Sequence, residues 1–160
     1  MNKTLWITCG IPGSGKSTWI KNHMNEECDV HCSRDEVRFS MLKDGEDYFA
    51  HEDEVWQKWI NDISYAIENP DVKNIYVDAT HLNNSARQKV LKELLMYETE
   101  FELKYLVFDV PFEICLERNE GRTGRAYVPK SVIRRMWFCF DAPKGDNVVT
   151  INENGVIINE

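Results

Sequence analysis

The amino-acid sequence predicts an α/β protein in which helices flank a parallel sheet on both faces. Two observations carry that prediction. An apolar run, Leu5-Trp6-Ile7-Thr8-Cys9, leads straight into a glycine-rich loop, Gly10-Ile11-Pro12-Gly13-Ser14-Gly15-Lys16-Ser17. Short β-branched or aromatic runs then alternate with helical patterns along the chain.

The elements follow in order. Lys3–Cys9 reads as a buried strand, and a helix-compatible run, Ser17 to Glu27, follows the loop. Val30–Ser33 is a second strand, and Arg34 begins a helical turn through Met41. Lys43-Asp44-Gly45-Glu46 is a turn. Tyr48 to Glu68 carries a helical stripe of Val55, Trp56, Trp59, Ile63 and Ile67, read as core packing rather than a base-stacking platform; Asn69-Pro70 stops it. Asn74–Asp78 is a strand. Asn83 or Asn84 caps a helix to about Tyr97. Phe101–Val110 is the next strand, and Pro111 opens a helix to about Asn119. Gly121-Arg122-Thr123-Gly124-Arg125 is a loop, and Pro129 opens a helix ended by Pro143 and Gly145. Val148–Ile151 and Val156–Ile158 form a hairpin around Asn154-Gly155.

The 160 residues predict one domain, 1–160, and 42% apolar residues suffice for a packed core. No apolar run approaches the roughly 20 residues of a membrane span. The strand-like start implies no leader peptide. Five scattered cysteines suit reduced thiols in a cytoplasmic protein. Cys28, His31 and Cys32 lie close together without a second ligand pair, so zinc is not expected there. The net charge of −8 argues against a general nucleic-acid coat. Yet Arg118, Arg122, Arg125, Lys130, Arg134 and Arg135 crowd one segment, which suits a compact polyanion such as ATP.

The loop fits G-x-x-x-x-G-K-[ST], a phosphate-binding P-loop. Gly13, Ser14 and Gly15 turn backbone N–H groups toward one anion. Lys16 reaches the β- and γ-phosphates, Ser17 ligates Mg²⁺ through its hydroxyl, and Thr18 follows at the helix N-terminus. Asp35 lies beside Arg34 and Arg38 at the end of the second strand, where a carboxylate can take a proton from an acceptor hydroxyl. The plainer reading is a helix-start carboxylate in an i,i+3 ion pair. Asp78 ends the next strand, placed for water on Mg²⁺ or for capping, while Thr80 and His81 are expected in the crevice. His81 is a second candidate base. Arg118, Arg122 and Arg125 lie on or beside a loop flanked by Gly121 and Gly124, read as a lid over residues 118–130.

In order, Gly10–Trp19, Arg34–Arg38, Asp78–Asn83, Phe108–Pro111, Arg118–Arg122 and Val128-Pro129 resemble the bacteriophage polynucleotide 5′-hydroxyl kinase family over about residues 3 to 145. The resemblance implies a P-loop kinase fold with an arginine-bearing lid. It implies ATP and Mg²⁺ as cofactors and Asp35 as general base. Arg38 would contact the acceptor's phosphate, Arg118 would stack on adenine, and Arg122 would touch the donor phosphates. Val128 would lie beside the acceptor base, and a 5′ end of DNA or RNA would be the partner, in a host cytoplasm if the chain is phage-encoded. The phosphatase motif D-x-D-G-T of larger family members is missing, so 3′-phosphatase activity is not expected. The acidic stretch 44–62 would border or replace part of the nucleic-acid channel. Two other readings stand beside this one. The first keeps the chemistry with another hydroxyl acceptor: a hydroxymethylated base, a nucleotide or a nucleotide-sugar. The second is an ATP-binding switch, for which Asp35 and the arginine lid would be superfluous.

Overall fold

The computed structural model describes residues 3–159. Among them, six strands form one sheet in the order β2-β3-β1-β4-β5-β6: β1 Lys3–Cys9, β2 Asp29–Ser33, β3 Asn74–Asp78, β4 Phe101–Phe108, β5 Val148–Ile151 and β6 Ile157–Asn159. All neighbours pair in parallel except β5 and β6, which pair antiparallel. Helices α1 Lys16–His23, α2 Arg34–Met41, α3 Glu52–Glu68, α4 Asn84–Glu93, α5 Phe112–Glu120 and α6 Lys130–Cys139 supply the crossovers. Parallel strands need such connections, and the helices bury both faces of the sheet.

Strand alternation divides the core into two layers. Leu5, Ile7 and Cys9 of β1, with Tyr105 and Val107 of β4, face a cluster that holds Val55, Trp59, Ile63 and Ile67 of α3 and Val90 and Leu94 around α4. Leu106 and Phe108 face the other way, onto Ile20 of α1, with Trp6 and Trp19 packed alongside. A third cluster of Ile11, Val110, Cys115 and Ile133 supports the glycine-rich loop from below. Trp59 is fully buried, and its Nε1–H donates to the Cys32 carbonyl at 2.8 Å, which ties α3 to the edge strand. The stripe on α3 is therefore core packing, as expected.

Several boundaries differ from the expectation, each for a local reason. Helix α1 ends at His23 because Asn25 Oδ1 accepts from Glu27 N at 3.0 Å and Asp29 Oδ2 accepts from Asn25 N at 2.9 Å. Such side-chain bonds compete with the helix ladder. Helix α3 begins at Glu52, not Tyr48, because Asp47 Oδ2 accepts from Phe49 N and closes a turn. Helix α4 is capped by Asn83 and stops at Glu93, and a 3₁₀ turn carries the chain from Leu95 to Tyr97. Strand β6 starts one residue late because Asn152 Oδ1 takes both Asn154 N and Val156 N.

Gly13 has φ 85°, and an added Cβ would stand 2.4 Å from the Cys115 carbonyl oxygen. Gly45 has φ 82° with nothing within 4 Å. Both substitutions incur left-handed backbone strain of roughly 1–2 kcal/mol, and Gly13→Ala adds a clash with backbone. Gly13→Ala is expected to lower Tm by at least about 4 °C, and clearly more than Gly45→Ala, in thermal denaturation followed by circular dichroism.

Candidate functional site

The carboxyl ends of β1, β2 and β3 converge on one crevice, the usual ligand position in open α/β sheets. The loop after β1 is fixed there by Gly10 N donating to the Thr80 carbonyl at 3.0 Å. Gly15, at φ 89°, precedes α1 and turns the loop into the helix. Ser14 is buried, and its Oγ has no partner among the described residues. Lys16 folds back on the loop, its Nζ donating to the carbonyls of Gly10 at 2.9 Å and Ile11 at 3.2 Å. Burial pulls the Lys16 ammonium below its ordinary pKa, against the pull of Asp78 and Asp35. Thr18 is exposed and faces a cleft of roughly 530 Å³ lined also by Trp19, His23, Arg118 and the turn at 152–155.

Asp78 is the buried carboxylate of the site. Ser17 Oγ donates to its Oδ2 at 2.6 Å, and His31 Nε2–H donates to the same oxygen at 2.7 Å. Burial alone would raise the Asp78 pKa, but the His31 hydrogen bond and the Lys16 charge hold it below the usual range. A buried, ionised carboxylate beside a serine hydroxyl is a hard-oxygen pair suited to Mg²⁺, which keeps several waters and takes few protein ligands. Among the described residues no group of three or more His, Cys, Asp or Glu could hold a metal unaided.

The other wall is an ion-pair network. Arg38 is only 6% exposed. Its Nε and Nη2 donate to Glu52 at 2.7 and 3.1 Å, and its Nη1 donates to Asp35 at 2.6 Å and to the Tyr48 hydroxyl at 2.7 Å. Tyr48 in turn donates to Asp35 Oδ1 at 2.9 Å. Arg34 donates to Glu52 Oε2 at 3.1 Å and lies over the rings of Trp56 and Trp59. The Asp35 side chain itself remains 62% exposed. Asp35 and Arg38 thus share a face, as their spacing predicts. Tyr48 and Glu52 were not singled out from sequence: they come from the acidic stretch 44–62, expected to border or replace part of a nucleic-acid channel.

The arginine-rich segment lies over the loop's open side. Arg118 donates to the carbonyls of Gly13 at 3.3 Å and Glu153 at 2.6 Å, bridging the P-loop to the terminal hairpin. Asn119, fully buried, donates to the Val128 carbonyl at 2.6 Å and accepts from Val128 N at 2.9 Å. That clip holds half-buried Val128 against α5. Arg122 is exposed, its nearest acceptor the Ala126 carbonyl at 3.5 Å. Arg125 donates to the carbonyl of Lys43, in the turn before α3.

Thr80 is half-buried at the crevice and meets the loop through its carbonyl. His81, expected in the crevice, is instead buried beneath it. Its Nδ1–H donates to the Thr8 carbonyl at 2.6 Å, its ring stacks on Trp59, and its backbone sits at φ 43°. Burial lowers its pKa from 6.5 to about 4, so the ring is neutral and Nε2 is an unpartnered acceptor among the described residues.

With this geometry in view, comparison with known proteins is informative. A family model for an AAA domain (AAA_33) matches residues 5–143. The chain belongs to this family. Among solved structures, a chain of the Pnkp1/Rnl/Hen1 RNA repair complex superposes with a TM-score of 0.67 at 24% identity, over 86% of this chain and 44% of that one. This chain thus spans less than half the length of that relative. A sugar kinase from Janibacter sp. HTCC2649 matches with a TM-score of 0.58 at 18% identity, over 95% of this chain and 86% of that one. A fungal RNA kinase matches with a TM-score of 0.61 at 14% identity, over 94% and 74%. At these identities the likenesses establish the fold, a mostly parallel α/β sheet shared with P-loop kinases. Among the described residues no helix is long and apolar enough to cross a membrane.

The buried neutral His81 sets a pH dependence. Its folded pKa is depressed from 6.5 to about 4, so its contribution to stability is complete above pH 6.5 and is lost as pH falls toward 4. That loss amounts to roughly 3 kcal/mol. His81→Asn keeps a donor for Thr8 and tolerates positive φ. Urea titrations at pH 7 and pH 4.5 are expected to show a smaller difference for the variant than for the parent.

Proposed function

We propose that the chain is an ATP-dependent kinase that transfers the γ-phosphate of ATP to a 5′-hydroxyl of DNA or RNA. In this reading residues 1–160 act as a single kinase domain, with 118–130 as its lid. The observation that carries the reading is Asp35. It is an exposed carboxylate tethered through Oδ1 to Arg38 and Tyr48, on the rim of the crevice that the P-loop floors. A binding switch has no use for such a group. The resemblance of the ordered motifs to polynucleotide kinases, and fold neighbours that include an RNA kinase, support the same reading.

The residues divide the work as follows. Backbone N–H groups of Gly13, Ser14 and Gly15 gather the donor phosphates, and Thr18 lines the approach. Lys16 exchanges the carbonyls of Gly10 and Ile11 for the β- and γ-phosphate oxygens. Ser17 and Asp78 would hold Mg²⁺, which when bound neutralises charge across the donor phosphates. Arg118 stacks on the adenine. Arg34, Arg38, Thr80 and Val128 border the acceptor. Asp35 accepts the hydroxyl proton as the 5′-oxygen bonds to the γ-phosphorus and the bond to the β–γ bridging oxygen breaks. Arg122, with Arg125 beside it, swings in over the transferring group, where a planar guanidinium meets spreading charge.

A second reading keeps this chemistry and changes the acceptor. Arg38 and Arg34 are already neutralised by Glu52, and Arg38 is also bound to Asp35. A phosphate beside the acceptor hydroxyl would have to compete with those carboxylates. That favours an acceptor whose hydroxyl stands away from any phosphate, as in a hydroxymethylated base, over a nucleotide or a nucleotide-sugar, which carry phosphate of their own.

Transfer of labelled γ-phosphate onto a panel of 5′-hydroxyl oligonucleotides, modified duplexes and small nucleotides separates the two readings. Lys16→Ala is expected to abolish transfer to every acceptor. Asp35→Asn should reduce single-turnover transfer by roughly 10² to 10⁴ and leave ATP affinity within a few-fold. A near-parental rate would remove Asp35 as base. Arg122→Ala should cost on the order of 10³ in turnover, with little rescue by Lys. A loss of under about tenfold would assign that part to Arg125 or Arg118.

A further inference from the structure

We infer that His31 is a positioning residue for the metal-bearing side of the site, acting through Asp78; this rests on the reading that Ser17 and Asp78 hold the cation. Strand register brings the two side chains together. In the parallel pair of β2 and β3, Ser33 lies opposite Asp78 and His31 opposite Tyr76. Side chains alternate along a strand, so His31 and Asp78 share a face as diagonal neighbours, within reach of a long side chain. The imidazole spans that diagonal. Its Nε2–H donates to Asp78 Oδ2 at 2.7 Å, with both side chains less than a tenth exposed.

The same Oδ2 takes the Ser17 hydroxyl at 2.6 Å. One carboxylate oxygen thus carries both bonds within the protein, and Oδ1 takes neither. A terminal carboxylate torsion is broad when nothing holds it. Here the edge strand pins one oxygen, which fixes the direction of the other. The His31 ring bonds the carboxylate rather than the loop, so it acts through the group it orients. Partners of this kind typically change metal affinity by 10- to 100-fold when removed.

The test uses Mn²⁺ as the probe, with the full chain saturated in the non-hydrolysable donor AMPPNP and free Mn²⁺ counted by electron paramagnetic resonance. His31→Ala is expected to weaken Mn²⁺ binding by about 10- to 100-fold. Metal-free AMPPNP affinity should stay within about twofold, because the phosphate cradle is untouched. His31→Gln, whose amide N–H can reach Oδ2, should recover most of the loss, and His31→Asn, too short, should not. In turnover assays the half-saturating Mg²⁺ concentration should rise more than kcat falls. Parental Mn²⁺ affinity in folded His31→Ala or His31→Asn would overturn the inference. A loss in His31→Gln as large as in His31→Ala would overturn the hydrogen-bond account. Failure of the parent chain to bind Mn²⁺ with AMPPNP would instead overturn the metal reading on which it rests.

Discussion

The structure depends on the placement of β1 between β3 and β4. Parallel pairing runs from Lys3 to Cys9 against β4 and from Thr4 to Ile7 against β3, with Leu5 opposite Ile75 and Leu103. Because all three strands point the same way, their carboxyl ends arrive together. The Gly10–Ser17 loop, Asp78 and the start of the segment leading to α5 therefore meet without any long excursion. The hydrogen bond from Gly10 N to the Thr80 carbonyl extends that pairing past the last ladder residue. A slip of one residue in β1 would turn Leu5, Ile7 and Cys9 out of their layer and move the loop off Asp78 at once.

On this frame the two walls of the crevice are built by different means. The P-loop wall is mostly backbone: left-handed glycines, a helix N-terminus and a lysine resting on carbonyls. The wall of Arg34, Asp35, Arg38, Tyr48 and Glu52 is side chains, and its charges cancel locally. Glu52 is held below the ordinary carboxylate range although burial works the other way, because both Arg38 and Arg34 bind it. Tyr48, pushed up to about 12 by burial and by Asp35, stays a phenol and donates. The wall is therefore rigid without being strongly cationic.

Much of the frame was legible in the chain. The P-loop, the alternation of strands and helices, the Asn83 cap and the Asp35–Arg38 pair follow from local patterns, and the structure contains each of them. What was not legible depends on tertiary register. His31 looked like part of an idle Cys28–Cys32 cluster, because nothing local says that β2 pairs with β3 and sets it diagonally from Asp78. Tyr48 and Glu52 were not singled out within the acidic stretch 44–62, because their partners lie 10 to 18 residues away. Asn119 looked like an ordinary residue at a helix end, and only the returning chain at Val128 reveals its two bonds. His81 failed in the opposite sense: the strand-end position suggested the crevice, but a positive φ rotates the ring under the sheet edge. Sequence period predicts which face a side chain takes, and it does not predict what a neighbouring strand or a turn will bring against it.

The Glu52 bridge also bears on how the acceptor side responds to ionic strength. A free guanidinium gathers anions from solution, and a phosphate that replaces them is bound more weakly as salt rises, because counterions redistribute around both partners. Arg34 and Arg38 already have a carboxylate in that place. An anionic acceptor seated among Glu52, Asp35 and these arginines exchanges one fixed partner for another and displaces few mobile ions. An anion that reaches this wall therefore meets a preset geometry of paired charges, whereas Arg118, Arg122 and Arg125 on the opposite side bond only to backbone carbonyls among the described residues.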